Sequence, residues 1–158
     1  MQAIEAGPLV STEWLAQHLG DRDLRVVNVR WRSRYENGRG ISFDDYQGYL
    51  DGHIPGVAFV GMSSDLSDPT HPVPDMLAPP EMFAEAMGRL WIGNDTLVVA
   101  YDNMGLPLGS ARLWWALSYY GHDRVRVLDG GLRQWQTEER PLSTDLPAIE
   151  PLAFTPRP

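Results

Sequence analysis

The chain contains no cysteine. That excludes disulfides, thiolate metal ligands and any thiol nucleophile supplied by this chain. Long apolar runs are missing too. Nothing approaches the roughly 18–20 residues that span a bilayer, so no membrane partner is expected. The opening MQAIEAGPLV has neither the basic segment nor the apolar core of a secretion signal, and a cytoplasmic location is the default expectation. Positive charge is scarce: 13 Lys and Arg stand against 21 Asp and Glu, a formal net charge of −8. An acidic surface repels phosphate backbones, so nucleic acid is not expected as a partner. His18, His53, His71 and His122 are scattered without ligand spacing, so neither a metal site nor a cofactor is expected.

What is present fits a single globular domain. The chain has 158 residues, 43% of them hydrophobic, with six Trp. Residues 1–8 read as a loose arm, 9–143 as the domain, and 144–158 as a Pro-spaced tail with little to bury, like an interdomain linker. Ser11 suits an N-cap for a helix over Thr12–Leu19, with Trp14, Leu15, His18 and Leu19 on its apolar side. Arg25–Val29 reads as a strand, Trp31–Gly40 as a polar loop, and Phe43–Leu50 as a short helix. Gly52–Gly56 makes a turn, Val57–Val60 a strand, and residues 63–80 a long Pro- and Asp-rich loop. Pro80 opens a helix whose Phe83, Ala86, Met87 and Leu90 form a core stripe, ended by Gly93 and Asn94. Val125–Leu128 is a further strand, and Asp129–Gly131 turns into a helix carrying Leu132 and Trp135.

The centre of the chain is LVVAYDNMGLPLGSARLWWALSYYG, residues 97–121. Leu97–Tyr101 is apolar throughout and reads as a strand buried on both faces. A loop with Asp102, Asn103, Met104, Gly105, Pro107 and Gly109 follows. Ser110 is a suitable N-cap for the next helix, which carries Arg112 in its first turn and stops at Gly121. Strand, tight loop and helix N-terminus form an anion cradle, because loop and first-turn N–H groups converge. Strands alternating with helices predict an α/β fold: a central parallel sheet with helices on both faces.

The segments STEWLAQHL, RVVNVRW, YLDGHIPGVAFV, GRLWIGNDTLVVAYD, ARLWWALSYYGH and VRVLDGGLRQW, in this order from about Leu9 to Ser143, resemble the rhodanese family. The resemblance is narrower to the N-terminal domain of two-domain thiosulfate sulfurtransferases. It implies a rhodanese-like three-layer sandwich. It also implies transfer of sulfane sulfur from thiosulfate to cyanide or a thiol, carried on a cysteine at the strand-to-helix loop. In tandem members that cysteine belongs to the second domain and the first has an acidic residue; Asp102 stands at the matching position. A second rhodanese domain C-terminal to Pro158 and a small anionic substrate are the implied partners, and this chain alone is expected to be inactive. Family strands commonly read DVR or DAR where this chain reads NVR, with Asn28 at the Asp position.

Asp102 has two readings: a nucleophile, as in aspartyl-phosphate enzymes, or a carboxylate that fills the cradle and satisfies its N–H groups. The second is preferred, since a carboxylate held by N–H donors has its lone pairs occupied. Arg112 has three readings: holding an anion in the loop, pairing with Asp102, or lying on the surface. Because it opposes the helix dipole, structural pairing with a specific partner is preferred. His53 reads as a structural hydrogen-bonding residue rather than a general base. Trp31, Arg30 and Arg32 form a candidate cleft wall; for Arg30, Arg32 and Arg34 the alternatives are a solvated loop or steering of an anionic substrate. Trp114 and Trp115 are adjacent and cannot share a helix face, so one is expected in the core and the other against a partner domain or a loop. The rival functions are a stand-alone pseudo-enzyme that binds a protein or anion, and phosphatase-like phosphoryl transfer. The latter also needs a cysteine, and a longer loop.

Overall fold

The computed structural model describes residues 7–103 and 105–158. Six strands and five helices alternate: β1 Leu9–Val10, α1 Thr12–His18, β2 Leu24–Glu36, β3 Arg39–Asp44, α2 Tyr46–Asp51, β4 Ala58–Gly61, α3 Pro80–Arg89, β5 Leu97–Tyr101, α4 Leu108–Tyr119, β6 Val125–Leu128 and α5 Gly131–Thr137. The sheet runs β1-β6-β5-β2, and β2 also pairs with β4 and β3. All pairings are parallel except β2 with β3. The expected arm falls outside the described residues apart from Gly7 and Pro8.

Side-chain alternation along the strands divides the core into two layers. Val27 and Val29 of β2 and Val98 and Ala100 of β5 face α3 and α4, meeting Phe83, Met87, Leu113 and Leu117. Val26 of β2 and Leu97, Val99 and Tyr101 of β5 face the other way, meeting Leu15 of α1 and Leu132 and Trp135 of α5. The whole of β5 is buried, which is why its sequence is apolar at every position. Helices on both faces of a mostly parallel sheet make the three-layer α/β sandwich. No helix among the described residues is long and apolar enough to cross a membrane.

Several local expectations are corrected. Trp31–Gly40 is not a loop. β2 runs on to Glu36 and returns as antiparallel β3, from Trp31 opposite Asp44 to Glu36 opposite Arg39. Asn37 (φ 51°) and Gly38 (φ 77°) make the connection, the pair of positive φ values that a tight hairpin turn demands. The helix expected from Phe43 therefore starts only at Tyr46, capped by Asp45. α3 ends at Arg89, before Gly93 and Asn94, because Trp91 takes the left-handed conformation (φ 67°) just past its end. Neither Trp114 (36% exposed) nor Trp115 (45% exposed) is core. Leu113, Ala116 and Leu117 fill that face of α4 instead.

The tail is extended but docked. His53 and Ser143 exchange backbone hydrogen bonds, Leu152 N–H donates to Gly88 O, and Arg157 N–H donates to Tyr120 O. Phe154 is buried in the α3–α4 layer, edge-on to Phe83. Apolar side chains spaced between prolines can enter a core without forming regular structure, a pattern the proline count obscures.

Candidate functional site

The carboxyl end of β5 delivers Asp102 into the start of α4. The residue preceding α4 is Pro107, which has no side-chain cap. Two first-turn N–H groups are instead met by Asp102. Gly109 N–H donates to Oδ2 at 2.7 Å and Ser110 N–H to Oδ1 at 2.8 Å. These are the donors a capping side chain normally satisfies, here reached from the preceding strand. Ser110 is therefore not the cap. It lies inside the helix, and its hydroxyl donates to Pro107 O at 3.3 Å. Asp102 is 3% exposed. Burial pushes its carboxyl upward, and the hydrogen bonds from Ser110 and Gly109 pull against that shift without cancelling it.

Gly109 is required by close approach. A Cβ there would lie 2.8 Å from Val29 Cγ1, 2.9 Å from Asp102 Oδ2 and 3.1 Å from Trp31 Cδ1. The helix start thus presses against the end of β2, and Trp31 joins the cradle. Gly105 faces the other side: a Cβ there would lie 2.7 Å from Nη1 of Arg133, an exposed residue of α5. Arg133 is the cation over this loop, and sequence reasoning missed it because only the turn of α5 onto the sheet brings it near. A cavity of about 240 Å³ opens beside the cradle between Leu9, Asp102, Gly105, Leu128, Asp129 and Gly130. Asn103 is partly exposed at the rim. Met104 lies outside the described residues.

Arg112 does not pair with Asp102. Its Nη2 donates to the carbonyl of Asp75 at 2.5 Å, pinning the long loop after β4, and its guanidinium carbon lies 5.4 Å from the Trp115 ring centroid. Burial lowers its pKa, opposed by the Asp75 charge.

Alternation also splits the candidate wall. Trp31 shares a face with Val29, toward α4. Arg30 and Arg32 point to the α2 side, each with Nε 3.2 Å from Asp45 Oδ2, and Arg30 is buried there. Arg30 Nη1 also donates to Gly52 O at 3.4 Å. Arg34 pairs with Glu36 at 2.7 Å. The basic run is thus a strand face rather than a loop: Arg30 is buried against Asp45, while Arg32 and Arg34 pair with acids yet stay solvated. Burial pushes the Asp45 carboxyl up, but the Arg30 hydrogen bond, the Gly48 N–H and the charges of Arg32 and Arg30 outweigh it and hold the pKa low.

Asn28 is wholly buried. Its Nδ2 donates to Tyr101 O at 3.1 Å, while its Oδ1 has no partner among the described residues. His53 is buried under the tail, with Nδ1 2.8 Å from Tyr49 O and Nε2 2.7 Å from Asp145 O. Both ring nitrogens are therefore committed to backbone, and the residue is structural. No group of three or more His, Asp or Glu suited to a metal ion occurs among the described residues.

The family model for the rhodanese-like domain matches residues 11–138. The chain is 38% identical over 130 residues to 3-mercaptopyruvate sulfurtransferase of Escherichia coli, covering 82% of this chain and 44% of that protein. It is 37% identical over 153 residues to thiosulfate sulfurtransferase of Rattus norvegicus, covering 92% and 48%. The chain spans about half the length of these curated relatives. The crystal structure of a 3-mercaptopyruvate sulfurtransferase from Escherichia coli superposes with a TM-score of 0.79 at 34% identity, covering 95% of this chain and 54% of that one. Fold, motif order and relatives agree: the chain belongs to the rhodanese-like domain family, whose matching members here are sulfurtransferases.

Proposed function

We propose that this chain is the cysteine-free half of a two-domain sulfurtransferase. The observation that carries the reading is the Asp102 carboxylate, which occupies two first-turn N–H donors at the start of α4 in a chain that has no thiol. Sulfane sulfur needs a thiolate to carry it, and helix N–H groups stabilise that thiolate. Here those groups are already taken. The relatives' names suggest thiosulfate or 3-mercaptopyruvate as donor, with cyanide or a thiol as acceptor. The catalytic cysteine would stand in a second rhodanese domain following Pro158.

In that assembly this chain supplies scaffold and one wall of the cleft. Trp31, the loop through Asn103 and Gly105, and Arg133 line the carboxyl edge of the sheet, where α/β folds place ligands. Leu106, Leu108, Trp115 and Tyr119 are exposed along the loop and α4, giving a second domain an apolar face to cover. Arg133 over Gly105 is the cation placed to hold a small anionic donor near that face.

The test is thiocyanate formation from thiosulfate and cyanide, and the equivalent assay with 3-mercaptopyruvate. The chain alone should be silent. The full gene product, with a cysteine-bearing second domain, should turn over. Turnover by the chain alone would overturn the proposal.

A further inference from the structure

A second cavity, of about 340 Å³, opens at the amino end of the sheet. Its floor is Leu24 and Val26 of β2 with Ala58 of β4, and its sides are Leu90, Trp91 and Ile149. Leu24 and Trp31 are seven residues apart on β2, about 23 Å at ordinary strand rise, so this cavity is separate from the cradle. Its size suits a small molecule, and its floor is apolar.

The wall is built at a cost. Trp91 holds φ 67°, a left-handed position that glycine usually takes just after a helix. Strain kept at a bulky residue is a pointer to function. The indole is held there by Arg25, whose guanidinium carbon lies 3.6 Å from the ring centroid. Arg25 Nη1 donates to the carbonyls of Arg22 at 2.8 Å and Leu24 at 2.7 Å, while its Nε is buried without a partner among the described residues. Burial lowers the Arg25 pKa, opposed by the charge of Asp23. Yet Arg25 forms no ion pair among the described residues, and neither does Arg22 at the rim. A partly buried cation with the Asp23 charge nearby but no ion pair among the described residues, lining a cavity of mixed polar and apolar walls, is an unfinished site. Asp21 at the rim limits the negative charge that can enter.

We propose that this cavity binds a small monocarboxylate with a flat or branched apolar body. The carboxylate pairs with the Arg25 guanidinium, and the body lies on Leu24 and Ala58 against Trp91. The inference does not rest on the sulfur-transfer reading, since none of these residues belongs to the cradle.

The test is an NMR titration of the whole chain with phenylacetate, indole-3-acetate and 4-methylpentanoate, each against its neutral amide. At least one acid should give saturable shifts at Gly56, Trp91 and Ile149. Its amide should bind about tenfold more weakly or worse, as a lost charge pair requires. Arg25→Gln should weaken the acid by a similar factor. Trp91→Gly, which suits the backbone, should stay folded and lose binding. Three results would overturn the proposal: no saturable shift with any acid, equal binding of acid and amide, or shifts confined to the surroundings of Asp102.

Discussion

Asp102 caps α4 through Gly109, its Oδ2 lying 2.7 Å from the Gly109 nitrogen, although the two residues stand on opposite sides of the β5–α4 loop. The bond closes the loop and neutralises the helix start in one contact. With the Ser110 bond it also takes up two of the N–H groups that would otherwise face a sulfur anion. Asp102→Asn turns an amide donor toward one of the two N–H groups and should cost about 1–3 kcal/mol. Urea denaturation reads this loss. An unchanged midpoint would mean that the cap does not hold the loop.

Gly109→Ala tests the close approach of α4 to β2. The added methyl meets Val29 Cγ1, Asp102 Oδ2 and Trp31 Cδ1 within 3.1 Å. Overpacking of this kind costs about 1–3 kcal/mol. The same variant should shift the Trp31 indole resonance, since that ring must give way.

Asp45 joins α2 to β2 by accepting from Arg30, Arg32 and Gly48 N–H. Asp45→Ala leaves Arg30 buried without its partner and should cost about 3–5 kcal/mol. The carboxyl sits below its ordinary value of 3.8. A carboxyl lowered by folding adds stability above the unfolded value and loses it as pH falls through the folded one. The wild type should therefore lose stability below pH 3.8 more steeply than Asp45→Asn. Parallel slopes in acid denaturation would contradict the assignment.

Phe154→Ala tests whether the tail belongs to the domain. The ring is 6% exposed and packs on Phe83. Loss of a buried Phe costs about 3–5 kcal/mol. A free linker would show no loss in thermal or chemical unfolding.

Much of this architecture is legible in the residues. β5 announces itself because a strand buried on both faces must be apolar at every position, and Phe83, Ala86 and Met87 mark α3 by their spacing. The hairpin was hidden by the polarity of Arg32–Glu36, which are solvent-exposed on an extension beyond the sheet. Its one clear signal is Asn37–Gly38, a pair suited to two consecutive positive φ values. The cradle was legible as a motif, and Asp102 as its filler. The partners of Arg112 and Arg30 were not, because they come from Asp75 and Asp45, placed by loop path and strand parity rather than by neighbourhood in sequence. Arg133 gave no signal, since its approach to Gly105 depends on how α5 crosses the sheet. Trp91 looked like an ordinary helix residue because nothing local marks a left-handed tryptophan.

The most direct measurement is sulfur loading of the cradle, read by mass spectrometry after incubation with thiosulfate. The wild-type chain should gain nothing. Asp102→Cys, with its thiolate facing the Gly109 and Ser110 N–H groups, should attack the sulfane sulfur of thiosulfate and expel sulfite. It should gain the mass of one sulfur atom, then give that atom to cyanide as thiocyanate with the thiolate restored. A sulfur adduct on the wild type, or none on a folded Asp102→Cys, would contradict the account.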